Sequence, residues 1–327
     1  MKHPTRAPLR AALALGAAIS LLCAGSAFAQ AYPNHPIRMI APYEPGGGVD
    51  IMARLVAKQL GEAIGQTVTV ENRPGAGGVV GTQVVVSAPA DGYTLVLAST
   101  SPIAVAPFLV KNLSYDPLKD LAPVTMVASS PALLLVRPDS TIHSVAELIA
   151  QAKAQPGKLT FSSSGIGGTA HLSAQLLKVM TGVDMLHVPY KGTAPATTAL
   201  LAGDVTISFT DVVAGLRYVQ GGQLRGVAVT SAKRLPLLPN MPTVGETVPG
   251  YVAGVWYGMF APAKTPPAII ATLGRAMDKA MHTPEMVQNL SGQGTILGSG
   301  TPEDFTKFIR EETARWGKVM QASGIKP

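Results

Sequence analysis

The stretch Pro42-Tyr43-Glu44-Pro45-Gly46-Gly47-Gly48-Val49-Asp50 joins an apolar run, IRMIA, to a segment with helical periodicity. Gly46, Gly47 and Gly48 leave no side chain in the way, so several backbone N–H groups can aim at one point. A helix opening there adds the partial positive charge of its N-terminus, with Asp50 as its expected N-cap. Such a turn binds an anion without Lys or Arg. On these residues alone it serves equally well as a tight strand–helix connection. A counterpart, SSSGIGGTAH, spans Ser162 to His171. It adds hydroxyls from Ser163, Ser164 and Thr169, and places His171 in a first helical turn, as a donor to a ligand or as a structural histidine. Two such cradles facing each other would suit a molecule carrying two carboxylates.

Four further places carry candidate chemistry. Ser99 and Thr100, with Ser101, end one strand in hydroxyls. Tyr190 ends another, where it would wall a pocket, beside a solvated Lys191. Asp211 ends a third, either recognising an ammonium or hydroxyl or capping the next helix. Tyr43 would pack on a ligand's carbon skeleton or only on its neighbours.

Enzyme patterns are weak. Gly165, Gly167 and Ala170 fit G-x-G-x-x-A, but no acidic residue follows at the right place on a second strand. There is no G-x-S-x-G elbow and no phosphate-binding loop with Gly-Lys-Ser/Thr. His35, His143, His171, His187 and His282 are scattered, so no metal site and no cofactor are expected.

These turns need a scaffold. Strand-like runs alternate with helix-periodic segments, from IRMIAPY through TVTVENR and YTLVLAS, then again from PALLLVRP through LTFSSS, LHVPY, VTISFTD and LRGVAVTS. Ser144 with Glu147 forms a capping box, and Thr193 is the expected cap of APATTALLAG. A Pro-rich connector and two closing helices follow. The fold class is α/β, with two lobes, each a mixed, mostly parallel sheet flanked by helices. The expected lobes are 30–126 plus 252–327, and 127–251, with hinge crossings near 121–136 and 249–261. A cleft at the strand ends between lobes is the natural ligand site.

The 327 residues are 47% apolar and only 14% charged, a compact globular composition. Residues 1–29 read as a cleaved signal peptide: Lys2, Arg6 and Arg10, then an apolar core, then Ala27-Phe28-Ala29. Lipoprotein anchoring through Cys23 is disfavoured by Leu22 before it. Removing this segment takes three positive charges and no negative ones, so +7 becomes +4, and takes the single cysteine. The mature chain then has neither disulfide nor thiol nucleophile, which suits the bacterial periplasm. The 92–110 stretch is interrupted by Pro102, Pro107 and hydroxyl residues, so no membrane span is expected there. No basic patch interleaved with aromatics argues for nucleic acid.

The segments PYEPGGGVDIMARLVAKQL, ENRPGAGGVVGTQVV, ADGYTLVLAS, SSSGIGGTAHLSAQLL, VPYKGTAPATTALLAGDV, LRGVAVTS and MPTVGE resemble, in order, the substrate-binding proteins of tripartite tricarboxylate transporters, the Bug proteins. The resemblance covers essentially the whole mature chain. It implies a monomeric periplasmic binding protein of type II that delivers a small carboxylate to a two-component membrane permease. Family ligands include tricarboxylates, dicarboxylates, acidic amino acids and aromatic acids, held largely by backbone N–H groups, hydroxyls and waters. Its first motif falls on Pro42, Tyr43, Pro45, Gly46, Gly47 and Asp50. Its second falls on Ser163, Ser164, Gly165, Gly168, Thr169 and His171. Two other functions fit the same fold. One is a periplasmic hydrolase using Ser164 and His171, and the other is a solute sensor for a membrane kinase.

Overall fold

The computed structural model describes residues 32–323. The signal-peptide segment and Cys23 lie outside the described residues. The fold below is that of the body that begins at His35.

Strands β1 (Ile37–Ala41), β2 (Val68–Asn72) and β3 (Thr94–Ser99) run parallel, β1 in the middle. The Ile, Val and Leu content and near-complete burial of β1 and β3 are those of strands covered on both faces, while the edge strand β2 is only partly buried. Helices α1 (Gly48–Ile64) and α2 (Val79–Val86) make the crossovers. Helix α1 starts three residues earlier than the Asp50 cap implies, and its N-cap is Gly47. The buried stripe is Met52, Ala53, Val56, Ala57 and Leu60, which leaves Ile51 exposed.

Strand β4 (Leu121–Val136) organises the molecule. Its first part pairs antiparallel with β9 (Gly254–Pro262) and with the short β10 (Ile296–Leu297). Its last five residues pair antiparallel with β7 (Ile207–Asp211) and β8 (Arg225–Val229). Since β9 also pairs with β3, the first sheet runs β2-β1-β3-β9-β4-β10. The second runs β8-β4-β7-β5-β6, where β5 (Thr160–Ser163) and β6 (Leu186–Pro189) are parallel to each other and β5 is parallel to β7. One strand thus belongs to two mixed sheets. Helices α3 (Val145–Ala154), α4 (Thr169–Thr181), α5 (Thr193–Ala202) and α6 (Val212–Gln220) serve the second sheet.

The two sheets meet where β4 passes Pro131–Ala132 and the chain enters β9 at Gly254. Thr230 stitches both passages. Its hydroxyl accepts the Ala132 N–H at 2.7 Å and donates to the Ala253 carbonyl at 2.7 Å. Its own amide donates to Ala132 O, and its carbonyl accepts from Ala253 N–H. Gly254 is required here, because a Cβ on it would lie 2.6 Å from Ser130 O. Thr230 is fully buried. Thr230→Val keeps the shape but strands one donor and one acceptor, at about 1–3 kcal/mol for each group left unpaired. Urea unfolding of the variant is expected to show a loss of about 2 kcal/mol or more, with little change in m-value.

The carboxyl-terminal part holds three helices where the sequence pattern suggested two. Besides α7 (Pro267–Met281) and α9 (Pro302–Ala322), Pro284–Ser291 forms α8, capped by Thr283. Pro284 sits inside the first turn, where its missing N–H costs nothing. On α9, Phe305, Ile309, Trp316 and Met320 are buried, and the Glu312 carboxylate accepts both the Trp256 and Trp316 indole N–H groups, at 3.3 and 3.1 Å. Among the described residues no helix is long and apolar enough to cross a membrane.

Candidate functional site

Three helices open on one cavity of about 620 Å³: α1, α4 and α5. Their N-caps are Gly47, Gly168 and Gly192, and none has a side-chain cap. Four other helices are capped by side chains, Ser144 for α3, Asp211 for α6, Thr283 for α8 and Thr301 for α9, while α2 and α7 start without one, on Gly78 and Pro266. First-turn N–H groups have no intrahelical acceptor. A glycine cap supplies none either, so these N–H groups and the aligned helix dipoles face the cavity unmet. Thr193 is not the cap of α5 but its first residue, and it lines the cavity.

Of the residues singled out in the sequence, Tyr43, Pro45, Gly46, Gly47, Ser164, Gly165 and Gly168 line this cavity. Tyr43 is fixed by its hydroxyl, which donates to the Gly77 carbonyl at 2.9 Å and lies 2.8 Å from Ser99 Oγ. Burial pushes its pKa up to about 12, so it stays a neutral wall. The second Gly-rich turn approaches the segment that follows β3 closely: a Cβ on Gly167 would lie 3.0 Å from Leu109 Cδ1 and 3.6 Å from Ser101 Oγ.

The other candidates sit elsewhere. Asp50 is buried behind its turn, not in the cavity. Its carboxylate accepts the Gly46 N–H at 2.9 Å, Asn72 Nδ2 at 2.8 Å and the Arg54 guanidinium at 2.9 Å. His171 is buried likewise, and its Nδ1 accepts the Gly167 N–H at 3.2 Å. The two cradles share this device. In each, the third helical residue reaches back four positions to the residue before the N-cap. The polar side chains of both motifs therefore hold the loops, and the N–H groups beyond them stay open. Burial pushes the Asp50 carboxyl up, but hydrogen bonds from Arg54, Gly46 and Asn72 outweigh it and hold its pKa below the ordinary value. A depressed pKa stabilises the fold above the unfolded value of 3.8, and that contribution is lost as pH falls through the folded value. Asp50→Ala is expected to cost about 1–3 kcal/mol at pH 7. The gap between wild type and variant in urea titrations should start to narrow only as pH falls below 3.8.

Ser163 is fully buried. Its hydroxyl lies 2.6 Å from His187 Nε2 and accepts the Gly165 N–H at 3.1 Å. The hydrolase pairing of Ser164 with His171 is not formed, because the His171 ring is turned beneath the loop onto Gly167 and Gln175. Burial lowers the His171 pKa to about 4 and also lowers that of His187. Ser99 holds Tyr43, and Thr100 accepts the Trp256 N–H at 3.1 Å, so the hydroxyl of that strand end that reaches the cavity is Ser101. Tyr190 packs against the apolar cluster of the second sheet instead of walling the cavity. Asp211 caps α6 through the Val213 N–H at 3.0 Å. It lies with Thr169 in a smaller annex of about 50 Å³ that shares Ser164 and Thr193 with the main cavity.

Sequence reasoning passed over Ala214, Arg217 and Tyr218, which line the cavity from one face of α6. Their i, i+3, i+4 spacing was the available signal. Arg217 corrects the expectation of a site without cations. Its guanidinium lies 4.7 Å from the Tyr218 ring centre and donates to the Tyr218 hydroxyl at 2.9 Å. No carboxylate among the described residues pairs with it. Gly192, Thr193, Ala194 and Thr197 were missed too, although GTAPATT repeats the strand–glycine–helix order of the first two turns. Among the described residues no three His, Cys, Asp or Glu side chains gather as a metal site.

Residues 52–325 match the tripartite tricarboxylate transporter family receptor. Protein BugT of Bordetella pertussis is 40% identical over 300 residues, covering 91% of this chain and 92% of that protein. The structure of Rpa4515 of R. palustris with adipate superposes with a TM-score of 0.82 at 36% identity, covering 90% of this chain and 99% of that one. MatC of Rhodopseudomonas palustris, with bound malate, gives 0.78 at 29% identity, covering 88% and 99%. The shared-strand fold, the glycine-started helices and these likenesses along nearly the full length agree: the chain belongs to the Bug family of tripartite tricarboxylate transporter receptors.

Proposed function

We propose that this protein is a periplasmic receptor that captures a small carboxylate and hands it to the membrane permease of a tripartite transporter. The observation that carries the reading is the convergence of three uncapped, glycine-started helices on a single cavity, beside an unpaired Arg217. Oriented amides replace the water that a carboxylate loses on entry, so the anion is held without a full counter-charge. The adipate and malate bound by the two structural relatives support the ligand class. Their chemistry favours carboxylates of four to six carbons as first candidates.

Binding closes a hinge at the two passages stitched by Thr230. The lobes divide there, near the expected boundaries 30–126 plus 252–327 and 127–251, and the permease reads the closed form. The chain acts as a monomer and makes or breaks no covalent bond. Export by a cleaved signal peptide, residues 1–29, delivers it to the periplasm.

A thermal-shift and calorimetric screen over mono-, di- and tricarboxylates and aromatic acids tests the reading. Stabilisation by an acid recovered unchanged after incubation is the expected result. Turnover of an added ester, or no response to any acid, would overturn it.

A further inference from the structure

The annex behind the second cradle is lined by Ser163, Ser164, Thr169, Thr193, Thr210 and Asp211. At about 50 Å³ it is a small recess with room for a polar substituent of a ligand held in the main cavity. It opens toward the main cavity through Ser164 and Thr193, which line both. Asp211 Oδ1 accepts the Ser130 hydroxyl at 3.1 Å and the Val213 N–H at 3.0 Å. Among the described residues nothing donates to Oδ2. A carboxylate oxygen in a hydroxyl-lined recess repels a ligand carboxylate and attracts a cationic donor. An ammonium brings three donors, which match Oδ2 and two hydroxyl oxygens.

We propose that this annex is a subsite for a ligand ammonium group, with Asp211 as the residue that selects an amino acid over the same acid without nitrogen. The inference rests on the carboxylate-receptor reading: the glycine-started helices take the carboxylates, and Asp211 takes the amine.

The geometry has a pH consequence. Burial raises the Asp211 pKa to about 6. It is charged at neutral pH and loses its charge as pH falls through that value, so the preference for an ammonium should fade on acidification. The other titratable groups around it do not reproduce that change. Tyr257 on β9 is held neutral, raised well above its ordinary value by burial and then by Asp211 itself. His171 on α4 is lowered to about 4, and His187 on β6 is lowered from its ordinary value by burial and by Lys178 on α4.

The test is calorimetry on the mature protein with matched acids: succinate, malate and aspartate; glutarate and glutamate; adipate and 2-aminoadipate. At pH 7.5 the amino member of at least one set should bind tenfold or more tighter than its unsubstituted partner. In Asp211→Asn, which keeps an oxygen to cap α6, the preference should fall below threefold and be flat between pH 7.5 and 5. In the wild type it should decline over that range. Thr193→Val, which leaves Asp211 intact, should show a smaller loss of the same preference. Equal binding of amino and unsubstituted acids, a preference that survives Asp211→Asn, or malate binding as tightly as aspartate would overturn the inference and leave the receptor reading standing. A preference that rises on acidification would do the same, making Asp211 a protonated donor to a carboxylate. If none of these acids bound, and the wider acid screen were also silent, both readings would fall.

Discussion

Gly47→Val is expected to abolish carboxylate binding while leaving the fold intact. Gly47 has φ −81° and ψ 168°, extended backbone that a β-branched residue adopts readily. A Cβ there meets only the Glu44 carbonyl oxygen, at 3.6 Å, an ordinary contact. The folded protein therefore tolerates the change. The valine methyls, however, stand at the cavity wall in front of the first-turn N–H groups of α1, where a ligand oxygen must come within about 3 Å. Affinity should fall by at least a hundredfold, with the thermal midpoint of the unliganded protein within about 3 °C of wild type. Isothermal calorimetry with the best acid from the screen, beside a melting curve, reads both. Gly46 is a poorer choice for this test: its φ of +81° strains any side chain, so lost binding there would also follow from a disturbed loop.

Arg217→Gln ranks second in expected effect. The guanidinium is the cation of the cavity wall and is held over the Tyr218 ring without an acidic partner. A hydrogen bond to a charged group is worth about 1.5–3 kcal/mol, or roughly tenfold to a hundredfold in affinity. Because Arg217 is exposed to solvent, the lower half of that range is expected, and the loss should shrink in 0.5 M salt. A dicarboxylate should suffer more than its monocarboxylate analogue, since the amide cradles can serve one anionic group without Arg217. Equal losses for both would assign Arg217 to the wall and not to a charge contact.

The architecture was legible because it is written in repeating local signals. Apolar runs ending in Gly or Pro, followed by helical periodicity, identified nearly every strand and the crossover helices. The first two turns of the site stood out for the same reason, as glycines at strand ends. The roles within those turns were not legible. Asp50 and His171 read as ligand contacts because each is polar and lies in a first helical turn. Only the folded geometry reveals that each accepts the N–H four residues back and so shapes the loop. Ser99 and Thr100 misled for a related reason: their hydroxyls are taken up by Tyr43 and by the Trp256 N–H, partners far away in the sequence. Ile51 continues the helical pattern of α1 yet is exposed, because the sheet covers the neighbouring face of that helix. Arg217 was invisible as a site residue, since one arginine on an amphipathic helix reads as a solvated charge. The third glycine-started helix was overlooked because Thr193 looked like a cap, whereas the actual cap is Gly192, at φ +108°.

The three uncapped helix starts make one joint demand: a negatively charged group must satisfy amides that the protein leaves open. A crystal structure of the protein with its tightest carboxylate tests this most directly. The account predicts carboxylate oxygens within about 3.2 Å of first-turn N–H groups on at least two of α1, α4 and α5. A ligand seated with its carboxylates on side chains elsewhere, and water on those amides, would contradict it.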